Sequence, residues 1–197
     1  MKELMEGYVG VKFKAVELSL DKSLVLKNLF SPFKKSARLL KKYGMTPKNG
    51  GNISLKRGNG MIITTSGANL GSLEEDEIVF VRRCSVKDRT VEYHGPNLPS
   101  SESFMHQLIY QSRGDIGAIV HAHDPATCNF AVENVQETAK EEPYGTIALA
   151  EIACDTFSKN ESIIILKNHG YVSIGQNIEE ATNLIISTHQ IIVQGNG

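Results

Sequence analysis

Cysteine is too scarce and too scattered to staple this chain. Cys84, Cys128 and Cys154 are odd in number, far apart and form no Cys-x-x-Cys pair, which argues against a disulfide framework and against a thiolate zinc site. They read as small core or near-surface residues. An excess of one charge is also lacking. The formal net charge is −1, and the basic stretch from Lys34 to Lys42 is interrupted by Ala37, Leu39 and Leu40, the pattern of a solvated helix face. Nucleic acid is therefore not an expected partner. No apolar run is long enough to span a membrane, so no membrane partner is expected either. Residues Met1 to Lys14 carry three lysines and two glutamates but no apolar core, so no signal peptide is read there and the cytoplasm is the expected compartment.

What is present fits an ordinary globular fold. The 197 residues are enough for one domain that buries a core without covalent staples. We expect that domain over residues 32–197, after an N-terminal extension, residues 1–31, of unknown role. Partial alternation of apolar residues suggests a strand within Tyr8 to Leu20. Ser31-Pro32 reads as an N-cap followed by proline at the first helical position, opening a helix that runs to Tyr43 and stops at Gly44. Asn59-Gly60, between two short apolar runs, signals a hairpin. Further strands are expected at Ile78 to Val81, Thr90 to Tyr93, Ile116 to His121, Ser162 to Leu166 and Tyr171 to Ile174. Further helices are expected from Pro99 to Glu102 onward, after Pro125, over Ile147 to Phe157 and over Ile178 to Val193. Strands joined by tight turns imply a mixed or antiparallel sheet covered by helices, not a Rossmann-type parallel sheet.

The strongest chemical feature is Val120-His121-Ala122-His123. Residues two apart on a strand share a face, so His121 and His123 form half of a metal site. The same pair also fits two unrelated polar residues where a strand becomes a loop. His169, between an apolar strand and Gly170, is the best-placed third ligand. His106 and His189 sit at helical spacing and read as structural or surface residues, and His94 lies in a polar loop. Three histidines leave an open position on a metal, the mark of a catalytic site, where the ion polarises a carbonyl. Glu102 is the candidate base, although its position alone better suits a helix-capping glutamate. Asn52, Thr65-Ser66-Gly67 and Ser100-Ser101 offer amides, hydroxyls and a helix start that suit an anion, or ordinary turn chemistry.

Taken in order, GGNIS (50–54), IITTSG (62–67), DEIVFV (76–81), LPSSE (98–102), HQLIYQSRGDIGAIVHAH (106–123) and NHGYVSIG (168–175) resemble the class II aldolase/adducin family. The resemblance runs from about Ala37 to about Gln190. It implies an α/β fold of three αβα layers around a central, largely antiparallel (mixed) sheet, assembled as a homotetramer with active sites at subunit contacts. It assigns the metal, usually Zn2+ and one per chain, to His121, His123 and His169. Acid/base work falls to Glu102, and phosphate binding to Asn52, Ser66, Gly67, Ser100 and Ser101. The implied reaction cleaves a phosphorylated ketose, a ketose 1-phosphate such as fuculose 1-phosphate, to dihydroxyacetone phosphate and an aldehyde through a metal-stabilised enediolate. Epimerases and dehydratases use the same site, and adducin's head domain keeps the fold without the histidines. One departure stands out. The segment from Asp124 to Glu142 contains no tyrosine, where sugar aldolases of the family carry one that protonates the departing aldehyde.

Overall fold

The computed structural model describes residues 12–19, 29–125, 135–157 and 161–195. Within them, strand β1 (Lys14–Glu17) precedes helix α1 (Phe30–Lys42). Strands β2 (Asn52–Arg57) and β3 (Gly60–Thr64) form a hairpin, followed by β4 (Ile78–Ser85) and β5 (Thr90–His94). Helix α2 (Ser103–Ser112) leads into β6 (Ala118–Ala122) and the two-residue strand β7 (Gln136–Glu137). Helix α3 (Ile147–Thr156), strands β8 (Ile163–Leu166) and β9 (Gly170–Gly175), and helix α4 (Ile178–Gly195) complete the described chain.

One sheet runs in the order β1-β5-β4-β3-β2-β6-β9-β8-β7. Its pairs are antiparallel except at the two edges, where β1 lies parallel to β5 and β7 parallel to β8. The central strands are apolar on both faces, as period-2 side chains require when both faces are covered. Met61 and Ile63 of β3 pack with Phe104, Met105 and Ile109 of α2 and with Leu149 and Ala153 of α3. Ile62 of the same strand packs with Phe33, Ala37 and Leu40 of α1 and with Ile178, Ala181 and Ile185 of α4. The result is the expected three-layer αβα arrangement around a mixed, largely antiparallel sheet.

Some local expectations need correction. Helix α1 begins at Phe30 with Leu29 at its N-cap and no side-chain cap, so Ser31-Pro32 is not the cap. Phe30 and Phe33 are both buried, and their burial extends the helix backward. Pro32 is tolerated because its missing N–H would lack a helical partner in the first turn anyway. The other end is as expected. Gly44 adopts φ +73, and Met45 N donates to Leu40 O and Gly44 N to Lys41 O, a Schellman stop sealed by buried Leu40 and Met45. The hairpin turn is Gly58-Asn59, because Arg57 pairs with Gly60. Gly58 takes the positive φ of +57 that the first central position of such a turn demands. The helix expected after Pro125 falls largely on residues 126–134, outside the described chain, and β7 carried no pattern in the sequence.

Candidate metal centre and active site

The central strands β2, β6 and β9 bring one cluster of polar residues together at one end of the sheet. Asn52, the first residue of β2, pairs with His121 on β6, which pairs in turn with Val172 on β9. His123 lies one residue beyond β6, yet its N–H still donates to Met45 O at 3.1 Å. His169 sits in the turn between β8 and β9, held by its N–H to Leu166 O at 2.9 Å. Asn168 before it takes φ +56, a left-handed conformation that asparagine tolerates better than most residues. Gly51 has φ +88, and any side chain there would collide with the His121 carbonyl. The backbone on either side of the histidines is thus closely set.

The three imidazoles converge. Their ring centroids lie 4.7–4.8 Å apart in each pairing, and one ligand atom from each falls within 4.8 Å of the others. His121 Nδ1 donates to Tyr171 O at 2.8 Å, which fixes the tautomer and leaves Nε2 to coordinate. That Nε2 lies 3.0 Å from His123 Nε2. Burial, with the neighbouring imidazoles of His121 and His169, pulls the His123 pKa down to about 2. Burial also lowers His169 to about 4, against the pull of Glu102. Both therefore present lone pairs at neutral pH. Lone pairs aimed at one point are unfavourable unless a cation sits there, so the residues fit a divalent metal.

Glu102 stands at the N-cap of α2, but its side chain makes no capping bond, which sets aside the reading of it as a helix cap. The carboxylate points into the cluster instead, 3.3 Å from His121 Nε2 and 3.8 Å from His169 Nε2. Asn52 Nδ2 donates to Glu102 Oε2 at 2.7 Å. Burial would raise the Glu102 pKa, but the imidazoles of His121 and His169 and the Asn52 amide more than offset it and hold the group at about 2. Glu102 Oε1 and Asn52 Oδ1 are buried without a hydrogen-bond partner, and buried polar atoms in that state call for a ligand.

The remaining candidates line up beside the carboxylate. Ser66 N donates to Leu98 O and Ser100 N to Thr64 O, so the loop bearing Ser66 and Gly67 is tied to the loop bearing Ser100 and Ser101. Gly67 is exposed, Ser66 and Ser101 are half-buried, and Ser100 is buried. The Ser100 hydroxyl accepts from Glu102 N at 3.2 Å. The structure thus brings the carboxylate, the three histidines and Asn52 into one cluster and sets the two serine loops alongside.

The other histidines are elsewhere. His189 Nδ1 pairs with Asp124 Oδ2 at 2.6 Å, and His94 stacks on Phe80. His106 is fully buried, not a surface residue. Its Nδ1 meets Ser54 Oγ at 2.7 Å, and Ser54 Oγ meets Tyr110 OH at 2.9 Å. Sequence reasoning missed Ser54 and the Tyr171 carbonyl. The first was hidden in an apolar strand, and the second is a main-chain atom with no sequence signal.

The profile of the class II aldolase and adducin N-terminal domain matches residues 34–192, and the chain belongs to that family. It is 32% identical over 146 residues to the L-fuculose phosphate aldolase of Methanocaldococcus jannaschii, covering 68% of this chain and 76% of that protein. It is 28% identical over 174 residues to the 5-methylthioribulose-1-phosphate/5-deoxyribulose-1-phosphate aldolase of Rhodospirillum rubrum, covering 81% of this chain and 76% of that protein. A solved L-fuculose 1-phosphate aldolase superposes with a TM-score of 0.69 at 27% identity, over 90% of this chain and 88% of that one. With these relatives, the chain is an enzyme of the class II aldolase type, a lyase. No helix among the described residues is long and apolar enough to cross a membrane.

Proposed function

We propose that this enzyme cleaves a ketose 1-phosphate to dihydroxyacetone phosphate and an aldehyde, with one Zn2+ held by His121, His123 and His169. The observation that carries this reading is the placement of Glu102. An ionised carboxylate with one unpartnered oxygen lies beside three convergent imidazoles. The metal, when bound, polarises the substrate carbonyl as a Lewis acid. Glu102, ionised at neutral pH, accepts the proton of the hydroxyl on the carbon whose C–C bond breaks, or returns a proton to the product carbon. Asn52 fixes the carboxylate's rotamer through the 2.7 Å bond to Oε2. The Ser66-Gly67 and Ser100-Ser101 loops take the phosphate through hydroxyls and through main-chain N–H groups other than those of Ser66 and Ser100, which tie the loops together.

Three substrates have support from the relatives: fuculose 1-phosphate, 5-methylthioribulose 1-phosphate and 5-deoxyribulose 1-phosphate. The working assembly on this reading is a homotetramer, by analogy with the family. The test is to incubate zinc-loaded protein with each ketose 1-phosphate and to follow dihydroxyacetone phosphate. Release from at least one sugar, abolished by a chelator and restored by zinc, is the expected result. Isomerised or dehydrated sugar with no dihydroxyacetone phosphate would replace the aldolase reading with an epimerase or dehydratase.

A further inference from the structure

The matched family domain starts at residue 34, yet the strand before it reaches toward the substrate loops. β1 is fastened along the sheet edge by Lys14 N to Arg89 O at 2.8 Å and Leu18 N to Tyr93 O at 2.7 Å. Phe13 is buried and meets Phe104 edge to face at 6.0 Å. Phe104 lies two residues past Glu102 on α2. At the head of the strand, Lys12 Nζ donates to Tyr144 O at 2.6 Å and stands 4.4 Å from the centre of the Tyr144 ring.

The Tyr144 turn is in turn set against the serine loop. The Thr146 hydroxyl donates to Pro143 O at 2.7 Å and accepts from Leu149 N at 3.1 Å, which closes the turn onto the start of α3. Gly145 has φ +67, and a Cβ there would come within 3.1 Å of Ser101 Cβ and Ser101 O. The turn is therefore the floor on which Ser101 rests, and the ammonium of Lys12 is a cationic clamp on that turn.

We infer that Lys12 is a positioning residue for phosphate binding. It holds the Pro143–Gly145 turn against Ser101, so that the N-terminal strand, ahead of the residues the family profile matches, tunes how the enzyme grips the phosphate end of its substrate. The inference rests on the proposed phosphate role of the Ser100-Ser101 loop. Lys12 itself does not touch substrate. Its effect passes through Tyr144 and Gly145, so it falls on phosphate affinity and not on the proton transfer at Glu102.

The test compares wild type, Lys12→Met and Lys12→Arg. Lys12→Met keeps an unbranched apolar stem but removes the charge and the donor. Calorimetric titration with inorganic phosphate should show binding weakened about three- to tenfold, a fraction of the worth of one charge-assisted hydrogen bond with a cation–π contact, because Lys12 acts through the turn and not on the anion. The KM for the ketose phosphate should rise by the same factor, with kcat and metal content unchanged. Lys12→Arg, which retains charge and donors, should restore affinity to within about twofold of wild type. Unchanged phosphate affinity in Lys12→Met would overturn the inference. So would a loss that only parallels a lower melting temperature and is not rescued by arginine, or wild-type protein that binds no phosphate. Wild type that binds phosphate in this Lys12-dependent way but cleaves no ketose phosphate would uphold the inference and reject the aldolase reading.

Discussion

Two histidine–carboxylate groupings lie a short way apart in this molecule, and they differ in kind. His189 and Asp124 meet directly at 2.6 Å, with Tyr43 edge-on to the imidazole at 5.9 Å. Donor and acceptor fill each other's needs, and α4 is fastened to the loop after His123. Around Glu102 no such closure occurs. The carboxylate stands off from two imidazoles at 3.3 Å and 3.8 Å, two ring nitrogens face each other, and Oε1 has no partner. The residue types are the same. The closed pair is architecture, while the open one is arranged around something that must still bind.

The comparison can be broken most forcefully at His121. His121→Ala should lose metal and turnover together, because two ligands do not make a stable catalytic site. A variant that retains stoichiometric metal would contradict the assignment. Glu102→Gln comes next. It should keep metal and fold while turnover falls by about 10²–10⁴-fold, the usual contribution of a general acid/base, and activity within a few-fold of wild type would remove Glu102 from that role. Asn52→Ala deletes one hydrogen bond to a charged group and should lower kcat about 10–100-fold with metal intact, as steady-state kinetics will show. On the closed side, His189→Leu should leave metal content untouched and cost about 1–3 kcal/mol of stability by stripping a buried carboxylate of a partner, measured by urea unfolding.

The smallest effect concerns acid. Burial holds His106 at about 3, well below the 6.5 of a free imidazole. Between those values the unfolded chain binds a proton there that the folded chain does not, so stability falls as pH drops through this window. Glu102, held at about 2 against 4.5, adds stability above its unfolded pKa that is lost as pH falls toward 2. Both act in the same direction. His106→Gln should flatten the pH dependence of the melting temperature between about pH 6.5 and 4.

The open grouping was largely legible in the sequence, and the reasons are physical. A strand's period of two puts His121 and His123 on one side, and the apolar run Ile163 to Leu166 delivers His169 to a turn at the same end of the sheet. The core strands and helices announced themselves by periodicity, so the layered fold could be read as well. What stayed hidden depends on pairings between distant residues. Nothing near Asn52 in the sequence signals that its amide is bound to a carboxylate fifty positions away. His106 reads as a helical face residue until β2 supplies Ser54. The parallel edge strand β7 is too short to carry a pattern and exists through its neighbour's register, whereas the alternation within Tyr8 to Leu20 did announce β1. The hairpin turn slid by one residue because Gly58, not Asn59, takes the left-handed conformation.

The most direct test of the open site is the metal content of protein purified without added metal, by elemental analysis. The account predicts about one zinc or other divalent ion per chain, as three histidines with an open position require. Protein that emerges metal-free and still binds no zinc on titration would contradict it, and would leave the convergent histidines without a purpose that this geometry explains.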